Sequence, residues 1–444
     1  MRLPFLSRLV APVPIPVLSA SLLAASFSLL TACGGDEPPD NGGSGGGATS
    51  SSSGGAGGAG GAGGAGGQAT AGPPEVVLVG DLAGLWSFAL GDNSFAVADP
   101  LHENNSGPAS PVIFGVRDNP QDTFTLGSAY VGADSTDTPG LGLAIDGHAA
   151  VVAIPSYAYA AIFQAKEADG SGSWANVASL TEASSGSKLG ISAAMYGDTV
   201  ALGAPSDVFG TPAGVVSSGS VHIYVQSSAE SWDTPDHLRL YDPDAGDLED
   251  FGRAVALHGN TLVVSNPDVP AVYVYDRPLG NPLAFERTAE LFPSVADDTT
   301  FGEAVAFDGH TLVVGAPHSG AVYVFERAGD AWQEVKRFTG TPGENYNYAE
   351  ISRNAGFGTS VSVSDDILVI GSLRDETPMG QGAAHVMWRG KDGWEPLTVI
   401  EGDVMDADTG AVVAVRGPTL MVSSMVYAAN SPHGSVTREY FIKK

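Results

Sequence analysis

Two stretches of the chain repeat each other without a gap: Phe251–Pro267 reads FGRAVALHGNTLVVSNP and Phe301–Pro317 reads FGEAVAFDGHTLVVGAP. The same seventeen-residue pattern fits Leu189–Pro205 and Phe357–Leu373. Three looser copies bring the total to seven and lie at Gly84–Pro100, Pro139–Pro155 and Thr409–Met425. The copies start 50 to 62 residues apart. Repeats on this scale are typical of solenoids and propellers, in which each unit buries its apolar faces against its neighbours.

Each copy has the internal order of a four-stranded sheet. In one copy the apolar run Ala304–Phe307 meets the turn dipeptide Asp308-Gly309, and the β-branched run Thr311–Val314 returns as a strand buried on both faces. Gly320–Glu326 follows as a third strand, and a fourth strand opens on an aromatic residue that we expect to pack between blades. These aromatic residues are Phe124, Trp174, Trp232, Phe285, Trp332 and Trp394. The pattern predicts an all-β fold, a seven-bladed β-propeller of four-stranded blades.

The two ends of the repeat region predict how the ring closes. The seventh copy supplies a third strand, Ser435–Ile442, and the sequence then ends without a fourth. Before the first copy stands Glu75–Val79, a strand-like run with no blade of its own. We therefore expect residues 75–79 to complete the last blade, which would remove two unpaired strand edges.

The repeats resemble FG-GAP repeats, the propeller units of integrin alpha-subunits and of bacterial surface proteins. Phe251-Gly252 and Phe301-Gly302 carry the first half of that motif, and Gly203–Pro205 and Gly315–Pro317 carry the second. The resemblance covers about residues 75–444 and implies the fold rather than a function. The chain departs from the family in lacking its Asp-x-Asp-x-Asp-Gly calcium loop between the first two strands, so calcium binding is not carried over.

The N-terminus predicts export and lipid anchoring. Arg2 and Arg8 precede an apolar stretch, and Leu30–Cys33 resembles the lipobox of bacterial lipoproteins. The resemblance implies that residues 1–32 are a signal peptide and that Cys33 carries a lipid. An uncleaved membrane anchor is the alternative. Residues 33–74 are rich in Gly, Ser and Ala and predict a disordered tether. Because Gly34 follows the cysteine, we expect the outer membrane or the cell surface.

Charge excludes one class of partner. The chain carries 50 acidic and 20 basic residues, a formal net charge of -30. Phosphate backbones would repel such a polyanion, so we expect no nucleic acid. The predicted partners are a membrane, through the N-terminal lipid, and a protein or glycan ligand bound by a monomer.

Calcium is the one cofactor that the sequence suggests, and the signal is weak. Asp242, Asp244 and Asp247 lie in an acidic connector between repeats, and a similar group precedes the seventh copy at Asp403, Asp406 and Asp408. The alternative is that these residues form solvated turns whose carboxylates cap their own backbone. We therefore expect no cofactor and no metal site.

Long loops are the strongest indication of a binding site. In a propeller the loops between second and third strands and the connectors between blades open on the same face. Several of these are long, namely Leu101–Ser110, Ser206–Gly219, Arg374–Gly382 and Gly340–Gly356. Loops on a rigid scaffold commonly carry recognition, and Tyr and Arg are enriched at binding hot spots. The candidate ligand-binding residues are Tyr346, Tyr348, Arg353, Asn354, Arg374 and Asp375.

Catalytic motifs are missing from the sequence. It has no H-E-x-x-H and no C-x-x-C, although a Ser–His–Asp triad assembled from distant residues stays open. The first hypothesis is a non-catalytic binding module of the cell envelope. Two alternatives are an enzyme acting on polysaccharide, a hydrolase or lyase with carboxylates at the mouth of the central channel, and a structural subunit of an outer-membrane complex.

Overall fold

The computed structural model describes residues 73–83, 87–98, 111–117, 124–130, 142–166, 172–181, 183–211, 214–227, 231–242, 250–296, 298–329, 331–340, 344–348, 351–373, 382–402, 408–428 and 431–443. They belong to one compact unit, Ala69–Lys444. The predictions for the signal peptide, for Cys33 and for nearly all of the tether lie outside the described residues. No helix in the described part is long and apolar enough to cross a membrane.

The fold is the predicted all-β propeller of seven four-stranded antiparallel blades. Blade 1 consists of β2 (Ser87–Leu90), β3 (Ser94–Ala98), β4 (Pro111–Val116) and β5 (Thr125–Tyr130), and blade 2 of β6 (Leu143–Asp146), β7 (Ala149–Ile154), β8 (Tyr159–Ala165) and β9 (Gly172–Leu180). Blade 3 consists of β10 (Ser192–Tyr196), β11 (Thr199–Ala204), β14 (Ser220–Val225) and β15 (Asp236–Leu240), blade 4 of β16 (Val255–His258), β17 (Thr261–Asn266), β18 (Ala271–Asp276) and β19 (Glu286–Leu291), and blade 5 of β20 (Ala304–Phe307), β21 (Thr311–Ala316), β22 (Ala321–Ala328) and β23 (Ala331–Thr339). Blade 6 consists of β26 (Phe357–Ser364), β27 (Ile367–Ser372), β28 (Ala383–Gly390) and β29 (Gly393–Glu401), and blade 7 of β30 (Val413–Arg416), β31 (Thr419–Ala428), β32 (Ser431–Lys443) and β1 (Glu75–Ala83).

Four further strands form two hairpins, β12 (Val208–Thr211) with β13 (Gly214–Ser217), and β24 (Glu344–Tyr348) with β25 (Ile351–Ala355). Two short 3-10 helices follow second strands, at Pro155–Tyr157 and Pro317–Ser319. The outermost strands of blades 1 and 2 also pair in parallel over two residues, which joins those two sheets.

The N-terminal strand closes the ring as predicted. β1 pairs antiparallel with β32, with Glu75 opposite Lys443, and becomes the outermost strand of blade 7. The first strands of neighbouring blades contact one another all the way around, and the circle ends where β30 meets β2. Side chains of the first blade, including Phe88 and Phe95, pack on Met421 of the last blade. The propeller therefore closes its ring by pairing its first strand, β1, with its last strand, β32.

The hydrophobic core consists of layers between blades. The layer between blades 4 and 5 combines Val263 and Val274 with Leu312, Val314 and Tyr323. Second strands such as β21 are buried at every position, as the β-branched runs predict. The predicted aromatic residues of the fourth strands also pack in this core, and Trp174, Trp232 and Trp394 are at most 4% exposed.

A small-residue contact sets how closely the blades approach. A Cβ atom placed on Gly315 would lie 2.2 Å from the carbonyl oxygen of Gly358 in the next blade. Gly358 itself has φ +99°, in the left-handed region that favours glycine. The same approach joins Gly203 to Gly252 and Gly371 to Gly410. The Phe-Gly half of one repeat thus contacts the Gly-Ala-Pro half of the preceding repeat across the blade interface.

Arginines reinforce four of the blade interfaces. Each arginine lies at or just after the end of the third strand of one blade and donates to the threonine that begins the second strand of the preceding blade. These pairs are Arg277 with Thr199, Arg327 with Thr261, Arg389 with Thr311 and Arg117 with Thr419. Each guanidinium also stacks on the aromatic residue of its own fourth strand, namely Phe285, Trp332, Trp394 and Phe124. The Arg117 contact lies at the junction that closes the ring.

Candidate functional site

One face of the ring carries the inter-blade connectors and the loops between second and third strands. The first strand of each blade starts at this face, and the second strand returns to it. The sequence predicted long loops here, but two of them are folded. Ser206–Gly219 contains the hairpin β12–β13, and Gly340–Gly356 contains the hairpin β24–β25. We call this side of the ring the loop-rich face.

A cavity of about 260 Å³ lies on the ring axis at the loop-rich face. Most residues of its wall lie at or near the start of the first strand of a blade, and every blade contributes. Most of the lining is aliphatic, and Phe88 is its one aromatic ring among the described residues. The lining residues are Phe88, Leu143, Ile191, Ser192, Ala193, Arg253, Ala254, Val255, Glu303, Ala304, Val305, Pro317, Thr359, Ser360, Val361, Ala411, Val412 and Val413.

Arg253 and Glu303 are the charged members of this lining. The guanidinium Nε of Arg253 donates to Glu303 Oε2 at 3.1 Å, and the two side chains are 18% and 20% exposed. They occupy the same position of the repeat in blades 4 and 5. The corresponding residues of blades 3 and 6 are Ile191 and Thr359. The cavity therefore has a single ion pair on an otherwise uncharged wall of described residues.

The hydroxyl groups of the lining are already used by the frame. Ser192 Oγ donates to the carbonyl oxygen of Gly252 at 3.1 Å, and Ser360 Oγ donates to that of Gly410 at 2.8 Å. Thr359 Oγ1 donates to the carbonyl oxygen of its own turn. The enzyme hypothesis placed several carboxylates at this mouth, and the described lining contributes Glu303, held by Arg253.

The hairpin β24–β25 brings four of the predicted ligand-binding residues together along the backbone. Tyr346 lies directly opposite Arg353, and Asn345 lies opposite Asn354, with Tyr348 at the end of the same strand. β25 approaches the short helix Pro317–Ser319, whose first residue lines the axial cavity. The other two predicted residues, Arg374 and Asp375, lie outside the described residues.

A buried polar cluster that the sequence did not predict lies at the base of the hairpin β12–β13. Its centre is Asp207, which is fully buried just before β12. Asp207 Oδ2 accepts hydrogen bonds from Ser220 Oγ at 2.6 Å and from Arg239 Nη2 at 2.6 Å. The Nε2 atom of the buried His222 lies 3.1 Å from the same oxygen. His222 Nδ1 in turn lies 3.0 Å from Nε2 of His237.

The cluster fixes the backbone where the hairpin begins. Asp207 Oδ1 accepts the backbone N–H of Val208 at 3.0 Å, and Arg239 donates to the carbonyl oxygen of Val208 at 3.0 Å. Burial alone would raise the pKa of Asp207, but the hydrogen bonds from His222 and the neighbouring serines hold that pKa well below its usual range. Asp207 is therefore a charged structural anchor of the loop-rich face.

Blade 5 contains a related arrangement on a connector. The Tyr323 hydroxyl donates to Asp298, and Arg337 Nη2 donates to the same carboxylate at 2.9 Å. Burial raises the pKa of Asp298, but the bonds from Tyr323 and Arg337 outweigh it and leave that pKa lowered. Burial and the bond to Asp298 raise the pKa of Tyr323 to about 12. The connectors are thus fastened to the blades by buried carboxylates.

Of the calcium candidates, Asp242 is also a buried connector carboxylate beside an arginine. Asp242 is 5% exposed, and its Oδ1 atom lies 3.5 Å from Nη1 of Arg287. Asp244, Asp247, Asp403 and Asp406 lie outside the described residues. Within the described part, no group of three or more acidic, histidine or cysteine side chains has an arrangement that could hold a metal ion.

Comparisons with known proteins concern the fold. No family model matches the chain, and no curated protein matches it in sequence. Among solved structures, a candidate 6-phosphogluconolactonase from Bacteroides uniformis is 12% identical, with 77% of this chain and 93% of that chain covered and a TM-score of 0.48. The WD40 domain of coronin from Toxoplasma gondii is 9% identical, with 83% and 90% covered and a TM-score of 0.42. Likeness at this distance carries no functional argument, and the chain is identified by its architecture alone, a seven-bladed β-propeller.

Proposed function

We propose that the protein is a cell-envelope binding module that holds its ligand at the loop-rich face, over the axial cavity. The observation that carries the proposal is the cavity itself, a concave site with an aliphatic wall and one partly exposed ion pair. Concave, mainly apolar sites with a few polar groups are the usual places where proteins bind ligands. A propeller fold is consistent with an interaction module.

The register of the hairpin β24–β25 supports a role for it in binding. Tyr346 lies opposite Arg353 along the backbone, and β25 approaches the short helix whose first residue, Pro317, lines the cavity. Arg374 and Asp375 come from the other segment that the sequence predicts for recognition. We therefore include Tyr346, Tyr348, Arg353, Asn354, Arg374 and Asp375 in the proposed binding surface.

Lipid anchoring through Cys33 is part of the proposal, and the lipobox-like sequence Leu30–Cys33 supports it. The first strand β1 begins at Glu75, opposite Lys443, at the end of blade 7 that is remote from the cavity. The anchored segment therefore joins the propeller away from the proposed binding site. Cys33→Ser should move the protein from the membrane fraction to the soluble fraction. Retention in membranes would contradict the anchoring.

Site-specific photocrosslinking in the native host tests the binding site. Ile191, at the cavity, and His310, exposed on a turn of the opposite face, are each replaced by p-benzoyl-L-phenylalanine in the full chain. We expect a discrete crosslinked adduct from position 191 and none from position 310. No adduct at position 191, or equal adducts at both positions, would refute the proposed site.

The enzyme hypothesis is placed second because glycoside hydrolysis canonically uses two convergent carboxylates. The described part of the cavity offers Glu303, already paired with Arg253. The same crosslinking experiment addresses a structural role, since a subunit of a larger complex would form adducts from several faces of the ring.

A further inference from the structure

The size of the axial cavity limits what it encloses. Pockets that surround a whole small molecule measure roughly 300–1,000 Å³. This cavity, at about 260 Å³, falls below that range. It has room for one or two amino-acid side chains but not for an oligosaccharide chain.

The chemistry of the wall separates a protein ligand from a glycan. A protein site that binds a sugar supplies aromatic rings and many hydrogen-bonding groups. In the described lining, Phe88 is the one aromatic ring. The hydroxyls of Ser192 and Ser360 are committed to backbone carbonyls. A buried sugar hydroxyl left without a partner costs about 1–3 kcal/mol. The aliphatic wall instead matches an aliphatic or aromatic side chain.

The ion pair at the cavity suits a peptide backbone. Arg253 is a donor and Glu303 is an acceptor, and they lie side by side at 3.1 Å with about a fifth of each side chain exposed. A peptide group presents the complementary set, a carbonyl acceptor and an N–H donor. A segment whose side chain enters the cavity would bring its backbone to this pair.

The charge of the chain indicates the character of that segment. Among the described residues at this face, Asp250 and Glu303 are partly exposed, whereas Asp242 and Asp408 are buried. The whole chain carries a net charge of -30. Complementary charge steers association and selects partners, so a basic segment fits this face.

We infer that the axial cavity binds an apolar side chain presented by a basic segment of a partner protein. The inference rests on the proposed function and narrows its ligand from protein or glycan to protein. Arg253 and Glu303 hold the backbone of that segment, and the aliphatic wall buries its side chain.

Titration calorimetry with the full chain tests this inference. The reference peptides are acetylated, amidated pentapeptides with two lysines on each side of a central Leu, Phe, Met or Val. Controls carry a central Gly, or glutamates in place of the lysines, and chitotetraose represents a glycan. Burying a Leu-sized side chain contributes about 1.5–3 kcal/mol, so we expect the central Gly to weaken binding by roughly 10- to 100-fold. The glutamate peptides and the sugar should bind weakly or not at all.

Two variants show whether binding occurs in the cavity. Ala304→Leu and Ala193→Leu fill the cavity from blades 5 and 3 and should each weaken the best peptide at least tenfold. Ala331→Leu adds the same atoms at an exposed position and should leave binding unchanged. Unfolding in urea checks that each variant is folded, and two independent filling positions keep the test valid if one is not.

The outcomes separate this inference from the proposed function. Equal binding of the Leu and Gly peptides, or no effect of either filling variant, would indicate unspecific attraction of cations and would overturn the inference. Binding of chitotetraose that the filling variants abolish would also overturn it, while leaving a binding module at this face. Failure of every peptide would overturn it too, and the crosslinking at Ile191 would then decide the proposed function alone.

Discussion

Replacing Gly315 by alanine should destabilise the ring through one identifiable contact. The new Cβ would lie 2.2 Å from the carbonyl oxygen of Gly358, and that atom belongs to the backbone of the next blade. No rotamer change relieves a clash between two backbones, so blades 5 and 6 must move apart by about 1 Å to reach an ordinary contact distance.

The expected loss follows from two opposing terms. Overpacking of this kind costs up to about 3 kcal/mol. Alanine also restricts the unfolded chain more than glycine does, which returns about 0.4–1 kcal/mol. The net loss in the free energy of unfolding is therefore about 2 kcal/mol. Gly203→Ala and Gly371→Ala should lose similar amounts, because their Cβ atoms would lie 1.9 Å and 2.0 Å from the equivalent oxygens.

Urea unfolding followed by tryptophan fluorescence measures the loss. A change of 2 kcal/mol lowers the midpoint by about 0.5 M or more, given the slopes seen for proteins. Gly417→Ala is the comparison, because its Cβ would meet nothing within 4 Å and only backbone strain remains, worth about 1 kcal/mol. A midpoint for Gly315→Ala equal to that of the wild type would refute the account of blade spacing.

Three further predictions concern charged side chains that hold the frame together. Asp207→Asn should lower the free energy of unfolding in urea by about 3 kcal/mol at pH 7, because Arg239 loses its carboxylate partner. The pKa of Asp207 is lowered in the folded state, so the wild type should be more stable than the variant above about pH 4. This difference should vanish as the pH falls further. Arg117→Met should lower the urea midpoint at pH 7 because burial already raises the pKa of Glu439, and adding Glu439→Gln should restore most of the loss. Arg389→Ala should cost about 1–2 kcal/mol by the same assay, and a double-mutant cycle with its stacking partner Trp394 should give a coupling of at least about 0.5 kcal/mol if the stacking contributes.

The fold could be predicted because each copy of the repeat contains apolar runs of strand length at the same positions. Runs such as Thr311–Val314 have the composition of strands buried on both faces, and a two-residue turn precedes them at the same place in each copy. The prediction that residues 75–79 complete the last blade is confirmed, and β1 extends that strand to Ala83. Ring closure could be predicted because the seventh copy lacked a fourth strand and the N-terminal strand had no blade of its own. Pairing these two satisfied both.

The folded loops could not be predicted in the same way. The segment that contains β24 and β25 is mostly polar and lacks the alternation of apolar residues that identifies a strand. Its pairing comes from backbone hydrogen bonds across a short turn, which leave little trace in composition. The site residues there, Tyr346 and Arg353, stay a prediction, although the register places them opposite each other.

The Asp207 cluster was missed for a different reason. Its members come from a loop and from two neighbouring strands, and only the register of β14 with β15 brings His222 opposite Arg239.

The arginine contacts between blades left a clearer signal in the sequence. Thr261 and Thr311 occupy the same position of the repeat, and Arg327 and Arg389 both lie in the last two residues of a third strand. An alignment of all four strands of each blade, rather than of the first two, would have revealed them.

The closure of the ring by β1 has a mechanical consequence. A load applied through the segment before Glu75, against a ligand held at the loop-rich face, acts along the axis of β1. All the backbone hydrogen bonds between β1 and β32 then share that load at once instead of opening one after another from an end. Forced opening is governed by a rate, and loading many bonds together slows it. The strand that completes the ring is thereby oriented to resist being pulled out through the segment that precedes it.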